Sequence, residues 1–230
     1  MKKILVAVAV LLSFALPASA SMSSDFHDHF NGTHLSAYNR DIATLLGQAD
    51  FHTGKAVTFP GFDVGATLTA VRTSSDNFSG KDYFVAPFIT AETQLPVLGL
   101  GLAARGTSYD GFQSIGGGVK WKQSIALIHL SGAVFYDRYS TDYYKGNHYS
   151  ASASASTSLL MFTPYVGIGY DYSELKVKDF EPFSGKKSDD GVMRYTAGVN
   201  VSPLPLLYLY AAYTYTKYNH GFQGGVGINF

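Results

Sequence analysis

The sequence contains no cysteine, few charged residues and, after residue 20, no long apolar run. The lack of cysteine means that no disulfide stabilises the chain. Charged residues make up 15% of it, against about 25% in ordinary soluble domains. The formal net charge is zero and no basic block stands out, so nucleic acid is not an expected partner. The apolar runs are too short for transmembrane helices, which need roughly 20 residues.

The first twenty residues have the pattern of an export signal. Lys2 and Lys3 precede an apolar stretch over residues 4–16, and Ala18 and Ala20 follow it as small residues. A positive start, a short apolar stretch and a small-x-small end are typical of a secretory signal peptide. We therefore predict a signal peptide at residues 1–20, cleaved after Ala20.

The rest of the chain alternates with a period of two. In residues 149–159 every even position is serine, whereas the odd positions hold tyrosine, alanine, threonine and leucine. Because successive side chains of a strand point to opposite faces, this pattern predicts a strand with one polar and one weakly apolar face. Ten segments are predicted to be strands, at residues 62–70, 83–90, 98–105, 115–122, 126–137, 149–159, 162–173, 193–201, 207–216 and 220–230. The register of residues 83–90 stays open, because both faces are apolar and Pro87 interrupts the segment.

The connections between these segments alternate in length. Short ones follow the even-numbered strands, at residues 91–97, 122–125, 159–162 and 202–205. Longer polar ones follow most odd-numbered strands, at residues 73–82, 107–112, 138–148 and 174–191. Short turns on one side and longer loops on the other are typical of transmembrane barrels. The sequence therefore predicts an all-β fold in which residues 61–230 form a closed antiparallel up-and-down transmembrane β-barrel of about ten strands.

The segment before the barrel has a different period. Apolar residues at helical spacing predict a short amphipathic helix at about residues 34–46, and they are Leu35, Tyr38, Ile42, Leu45 and Leu46. We assign residues 21–60 to a periplasmic N-terminal segment that contains this helix. Two positions remain open for the helix: it enters the lumen as a plug, or it lies against the periplasmic rim.

Inward-facing residues suggest how the lumen is filled. Many predicted inward positions are glycine, which leaves room either for inward aromatic side chains or for a narrow pore. Asp171 and Arg194 lie near the two ends of the predicted loop at residues 174–191, on the inward register. If the two strands pair symmetrically about that loop, these residues lie close together, so we predict an ion pair inside the barrel near its outer mouth.

The last residues, Val226-Gly227-Ile228-Asn229-Phe230, place apolar side chains at alternate positions before a final phenylalanine. With the signal peptide and the ten alternating strands, this pattern resembles that of the bacterial outer-membrane β-barrel proteins, over about residues 62–230. The resemblance implies a place in the outer membrane of a Gram-negative bacterium, in contact with its lipid. It also implies that Val226, Ile228 and Phe230 form an assembly signal for the barrel assembly machinery, with periplasmic chaperones as further partners.

Two candidate chemical sites are weak. Histidines precede the barrel as His27-Asp28-His29, His34 and His52, but two histidines separated by one residue do not define a tetrahedral metal site. His129 and Ser131 resemble part of the motif of an outer-membrane lipid A deacylase, but nothing else of that motif follows them. We therefore expect no catalytic, cofactor or metal site, and no enzyme.

The sequence leaves the function open between classes. One hypothesis is a narrow channel or uptake protein for small solutes. The other is a structural or surface-interaction barrel that acts through its extracellular loops. A lipid-modifying enzyme is the least favoured of the three.

Overall fold

The computed structural model describes residues 22–50, 61–95 and 99–230. The predicted signal peptide at residues 1–20 lies outside the described residues. In the described part of the chain, no helix is both long enough and apolar enough to cross a membrane.

Two helices precede ten strands in the described residues. The helices are α1 (Met22–His29) and α2 (Leu35–Gln48). The strands are β1 (Phe62–Arg72), β2 (Tyr83–Gln94), β3 (Leu100–Tyr109), β4 (Phe112–Ile125), β5 (Ile128–Ser140), β6 (Tyr144–Thr157), β7 (Phe162–Val177), β8 (Lys187–Val201), β9 (Leu207–Thr216) and β10 (His220–Asn229). Each strand pairs antiparallel with its neighbours in sequence, and pairing of β1 with β10 closes the sheet. The prediction of a ten-stranded antiparallel barrel is confirmed.

The structure resolves the register of β2. Phe84, Ala86 and Phe88 are buried inside the barrel, whereas Pro87 lies on the outward register. The ladder between β2 and β3 begins only at Ile89, opposite Gly106. Pro87 therefore lies on the part of β2 that has no partner on the β3 side, where its missing N–H costs no ladder hydrogen bond.

The two ends of the barrel differ in their connections. We call the end with the connections β2–β3, β4–β5, β6–β7 and β8–β9 the turn end. There, a two-residue turn joins β4 to β5 at residues 126–127, with Ala126 at φ 53°. The opposite end, which we call the loop end, carries the connections at residues 73–82, 110–111, 141–143, 178–186 and 217–219.

Strands β5 to β8 are longer at the loop end than the sequence predicts. The expected loops at residues 138–148 and 174–191 shrink to residues 141–143 and 178–186, because the ladder continues as far as Lys176 opposite Lys187. The outward side chains of these extensions are polar, so the contrast between an apolar and a polar face disappears there. That loss of contrast explains why the alternation did not reveal them.

The largest hydrophobic cluster lies inside the barrel at the loop end, where both helices pack against the wall. We call residues 22–50 the plug. Tyr38, Ile42 and Leu45 on α2 have no exposed surface. Of the two positions left open for the helix, the lumen is the one observed, so the label periplasmic does not describe residues 22–50. The helix lies there because its apolar face is shielded from water inside the lumen.

Helix α1 was not predicted, because its serine, histidine and aspartate residues obscure the pattern. Met22 and Phe26 are its buried apolar residues, and Phe30 continues the same four-residue spacing beyond its end. Three apolar residues at this spacing form the buried face of a helix only when another surface packs against them. Here the lumen wall and the loops provide that surface.

Candidate functional site

The plug is capped by aromatic rings at the loop end. The Phe26 ring lies 4.9 Å from Tyr144 on β6 and 5.5 Å from Phe78 in the β1–β2 loop, between ring centroids. Tyr38 on α2 stacks on Phe78 at 4.8 Å, and its hydroxyl lies 3.1 Å from that of Tyr144. Burial raises the pKa of the Tyr38 hydroxyl well above its ordinary value, so the phenol stays a neutral hydrogen-bonding group.

Asp41 ties α2 to two different loops. Its carboxylate accepts hydrogen bonds from the Ser74 backbone N–H at 2.9 Å and from the Asn77 side-chain amide at 2.5 Å, both in the β1–β2 loop. A further bond comes from the Asn219 side-chain amide in the β9–β10 loop at 2.6 Å. One buried carboxylate therefore fixes the positions of two loops relative to the plug.

Arg40 makes a second polar tie beside Asp41. Its guanidinium donates to Asp76 in the β1–β2 loop at 2.8 Å and to Asp190 on β8 at 2.9 Å. The same guanidinium lies 4.1 Å from the centre of the Tyr218 ring. Arg40 thus joins the plug to the wall and to two loops.

A buried ionic network lies at the inner end of the plug. Asp50, two residues beyond α2, pairs with Arg105 on β3 and with Arg194 on β8, the latter at 3.0 Å. Ser150 on β6 donates a hydrogen bond to the same carboxylate at 2.5 Å. The plug therefore contributes one carboxylate that joins two arginines on separate strands.

The wall completes this network with its own carboxylates. Arg105 also pairs with Asp137 on β5 at 2.6 Å. His148 on β6 lies between two carboxylates, 2.8 Å from Asp137 and 3.5 Å from Asp171. All of these side chains are almost fully buried, a position that charged groups tolerate only when paired and hydrogen-bonded.

Asp171 and Arg194, the predicted lumen pair, face inward and lie 2.8 Å apart, between Oδ2 and Nε. They are not directly opposite, since Asp171 faces Val192 and Arg194 faces Gly169 in the ladder. The long arginine side chain spans this diagonal. The pair also lies deeper than expected, beside Gly47 and Asp50 at the inner end of the plug and away from the mouth.

Towards the turn end, described wall side chains point into the lumen and pair with one another. Glu92 pairs with Lys122 at 2.7 Å and with Lys120 at 3.2 Å. Tyr208 donates a hydrogen bond to Asp63 at 2.8 Å. A small void against Ala49 measures about 10 Å³, which is enough for about one water molecule.

Inward glycines make room for large side chains. An added Cβ would lie 2.7 Å from the Phe135 ring at Gly118, and 2.6 Å from the Tyr165 ring at Gly198. A Cβ added at Gly169 would lie 2.7 Å from the Arg194 guanidinium. Of the two uses left open for these glycines, filling by side chains is the one observed at these positions.

In the described part of the chain, His129 and Ser131 make hydrogen bonds to different serines. His129 lies 2.7 Å from the hydroxyls of both Ser124 and Ser158, whereas the Ser131 hydroxyl bonds Ser154 at 2.6 Å. No described group of three histidine, aspartate or glutamate residues has the spacing to hold a metal. His52 lies outside the described residues.

The assembly residues lie on the last strand. Phe230 is exposed on the outer surface and its ring lies 6.1 Å from Phe62, across the seam where β1 meets β10. Val226 is opposite Ala66, and Ile228 is opposite Val64. Their role in assembly stays a prediction.

Four residues of the ionic network were not singled out from the sequence, and they are Asp50, Arg105, Asp137 and His148. The alternation places Arg105 and Asp137 on the inward face, which was the available signal. Nothing in the sequence connects Asp50 to strands more than fifty residues away, because that contact depends on how deep the plug descends.

Comparison with solved structures supports the fold. The chain is 9% identical to an outer membrane channel from Pseudomonas putida F1, with a TM-score of 0.53, covering 79% of this chain and all of that one. It is 14% identical to the translocator domain of the autotransporter NalP from Neisseria meningitidis, with a TM-score of 0.50, covering 90% and 99%. At these identities the likeness concerns the fold alone. A comparison with curated proteins gave no match.

The family is shown by a sequence model that covers most of the chain. The model describes an outer membrane protein β-barrel domain and matches residues 42–230. This range contains all ten strands and the second half of α2. The chain therefore belongs to the outer membrane protein β-barrel family, and its place is the outer membrane.

Proposed function

We propose that this protein is a closed outer-membrane barrel that acts through the surface at its loop end. The observation that carries the proposal is that the plug is bonded to several loop-end connections at once. Asp41 and Arg40 join it to the β1–β2 and β9–β10 loops. Ser23 donates to Asp142 in the β5–β6 loop at 3.0 Å, and Lys186 in the β7–β8 loop donates to the Gly32 carbonyl at 2.6 Å.

Loops held in this way form a pre-ordered surface. Ordering a mobile loop on binding costs free energy, and a surface that is already ordered avoids much of that cost. The two longest connections of the barrel, at residues 73–82 and 178–186, both lie at the loop end, and in outer-membrane barrels the longer loops face outside. The loop end would therefore present this surface to the cell exterior.

A second candidate is a channel gated by the plug. The wall around Asp50 is lined with Arg105, Asp137, Asp171 and Arg194. Rings of charged side chains are a common means of ion selection in pores. Displacement of the plug would expose this charged lining to solvent, although the aromatic side chains near the turn end would still narrow the path.

Conductance in planar bilayers tests the main proposal. The wild-type chain is expected to stay silent across voltages, because the plug and the wall side chains fill the lumen. Steady unitary conductance of the wild type would contradict the proposal and favour a channel.

A tethered plug separates the two candidates further. The chain has no native cysteine, so Ser23→Cys with Asp142→Cys gives a single disulfide between the plug and the β5–β6 loop. Openings that occur in mild urea when the pair is reduced, and stop when it is oxidised, would support the gated channel. Silence in both states supports the closed barrel, with each single-cysteine variant as the control.

A further inference from the structure

A row of three lysines crosses the outer face of the wall near the loop end. Lys145 on β6 lies opposite Lys176 on β7, which in turn lies opposite Lys187 on β8. All three are exposed, while Leu175 and Val177 on either side of Lys176 are buried against the plug. Because side chains alternate along a strand, the lysines point away from the lumen.

These lysines have no carboxylate partner among the described residues, since no ion pair there includes any of them. Like charges placed directly opposite each other destabilise a sheet. Three such charges in adjacent strands therefore gain stability when an external anion lies against them.

A row of tyrosines shows where the row of lysines lies relative to the membrane. Tyr136, Tyr149 and Tyr172 are neighbours on the outer face of β5, β6 and β7, with ring centroids 5.2 and 6.2 Å apart. Tyrosines that point outward in this way mark the headgroup level of a transmembrane barrel.

The length of β7 agrees with that assignment. Tyr172 lies ten positions after Phe162. At a rise of about 3.3 Å per residue and a tilt of about 40°, these ten steps span roughly 25 Å, which is the height of the apolar band of such barrels. Lys176 lies four residues after Tyr172 on the same outward face of β7. By the same geometry it lies about 10 Å beyond the row of tyrosines, on the side away from the apolar band. A lysine stem can bend back by several ångströms towards the headgroups.

The same region of the wall is concave. An open depression of about 990 Å³ is lined mainly by outward residues of β3 to β8, including Arg138, Glu174 and Asp189 together with the three lysines. Its charged side chains are four basic and two acidic, which leaves a net charge of plus two. We call this depression the basic face.

We propose that the basic face binds the phosphate groups of anionic lipid headgroups in the leaflet at the loop end. The lysine row supplies unpaired positive charge, the tyrosines place it just above the apolar band, and the depression has room for a headgroup. This proposal does not depend on whether the barrel is a closed surface protein or a gated channel.

The test uses the full-length protein in nanodiscs of phosphatidylcholine containing a minor fraction of bisphosphorylated lipid A. Anionic lipid retained per protein is counted by native mass spectrometry. Each basic residue near an anionic surface contributes about fivefold in affinity, so Lys176→Gln with Lys187→Gln should weaken retention by roughly thirtyfold. Glu174→Gln with Asp189→Asn removes the acidic groups of the basic face and should strengthen retention.

A matched control removes the same charge elsewhere. Arg72→Gln with Lys217→Gln lies at the loop end outside the basic face, and it should leave retention unchanged. Equal loss in both double variants would overturn the proposal, because it would show a general effect of charge. Circular dichroism of each variant confirms that the barrel is folded before lipid is counted.

A soluble anion is separated from a lipid by competition. Retention of lipid A that persists in millimolar inorganic phosphate supports a lipid headgroup. Full displacement by inorganic phosphate, or wild-type retention no greater than that of the lysine variant, would overturn it.

Discussion

At the scale of single residues, Asp50, Arg105 and Arg194 form the centre of the lumen. Replacing buried ion pairs with apolar residues is often neutral or stabilising, so such pairs are weak evidence of stability. Their geometry matters more than their energy. Asp50 meets two arginines on strands that lie apart in the barrel, which fixes the depth of the plug.

Breaking one member of this network should cost far more than breaking an exposed pair. We expect Asp171→Asn to lower the free energy of unfolding by about 3–5 kcal/mol, since it leaves Arg194 buried with less compensation. Asp76→Asn, which removes the half-exposed partner of Arg40, should cost less than about 1 kcal/mol. Urea unfolding in lipid vesicles measures both, and similar values for the two variants would contradict the assignment.

At the scale of elements, the plug helices and the loops stabilise each other. Helix α1 is only eight residues long, too short to be stable alone in water. Its buried Phe26 contacts rings from α2, β6 and two loops. Order in α1 and order in those loops are therefore linked.

Removal of the Phe26 ring should loosen loops far away in sequence. Phe26→Ala deletes a fully buried aromatic side chain, which typically costs about 3–5 kcal/mol. We expect faster amide hydrogen exchange in residues 74–82 and 178–186, with little change in β10. Asp28→Ala, on the exposed side of the same helix, is the control, and faster exchange in that variant as well would count against this linkage.

The last strand carries a separate prediction about assembly. Phe222 and Phe230 are both half-exposed on the outer face of the C-terminal region, at 51% and 60%. They lose similar lipid contact when changed to alanine, but Phe230 alone ends the apolar alternation. Phe230→Ala should lower surface levels in cells well below those of Phe222→Ala while leaving stability in detergent similar. Equal surface levels for the two variants would refute an assembly role.

At the scale of the whole molecule, the plug runs down the lumen from the loop end. Met22 lies near Tyr38 at that end, Asp50 lies halfway down, and β1 begins at the turn end with Phe62. The closed ladder surrounds this segment completely. The start of the described chain is therefore on the side opposite to the first residue of the barrel.

Labelling of intact cells tests this direction. Because the chain has no native cysteine, Asp28→Cys in α1 and Leu204→Cys at the turn end give single reactive sites. A membrane-impermeant maleimide added outside should label the first and spare the second. Labelling of Leu204→Cys alone would reverse the orientation, and labelling of neither would show that α1 is covered.

The sequence alone determined the barrel, its strand number and the inward face that brings Asp171 and Arg194 together. Side chains in a strand alternate between two faces, and lipid outside with a packed lumen inside leaves that alternation readable along the chain. The helical spacing of α2 was readable for the same reason, since one of its faces is apolar. Asp171 and Arg194 were within reach of prediction because a single hairpin joins their strands.

Only the tertiary structure decided where the plug lies, how far β5 to β8 extend and which residues share the lumen. Asp50 meets Arg105 and Arg194 through contacts that span 55 and 144 residues of sequence, and no local pattern encodes such distances. The row of Lys145, Lys176 and Lys187 likewise depends on the register of three strands. Local periodicity fixes the face of each side chain, whereas register and depth are set by packing between segments far apart in the chain.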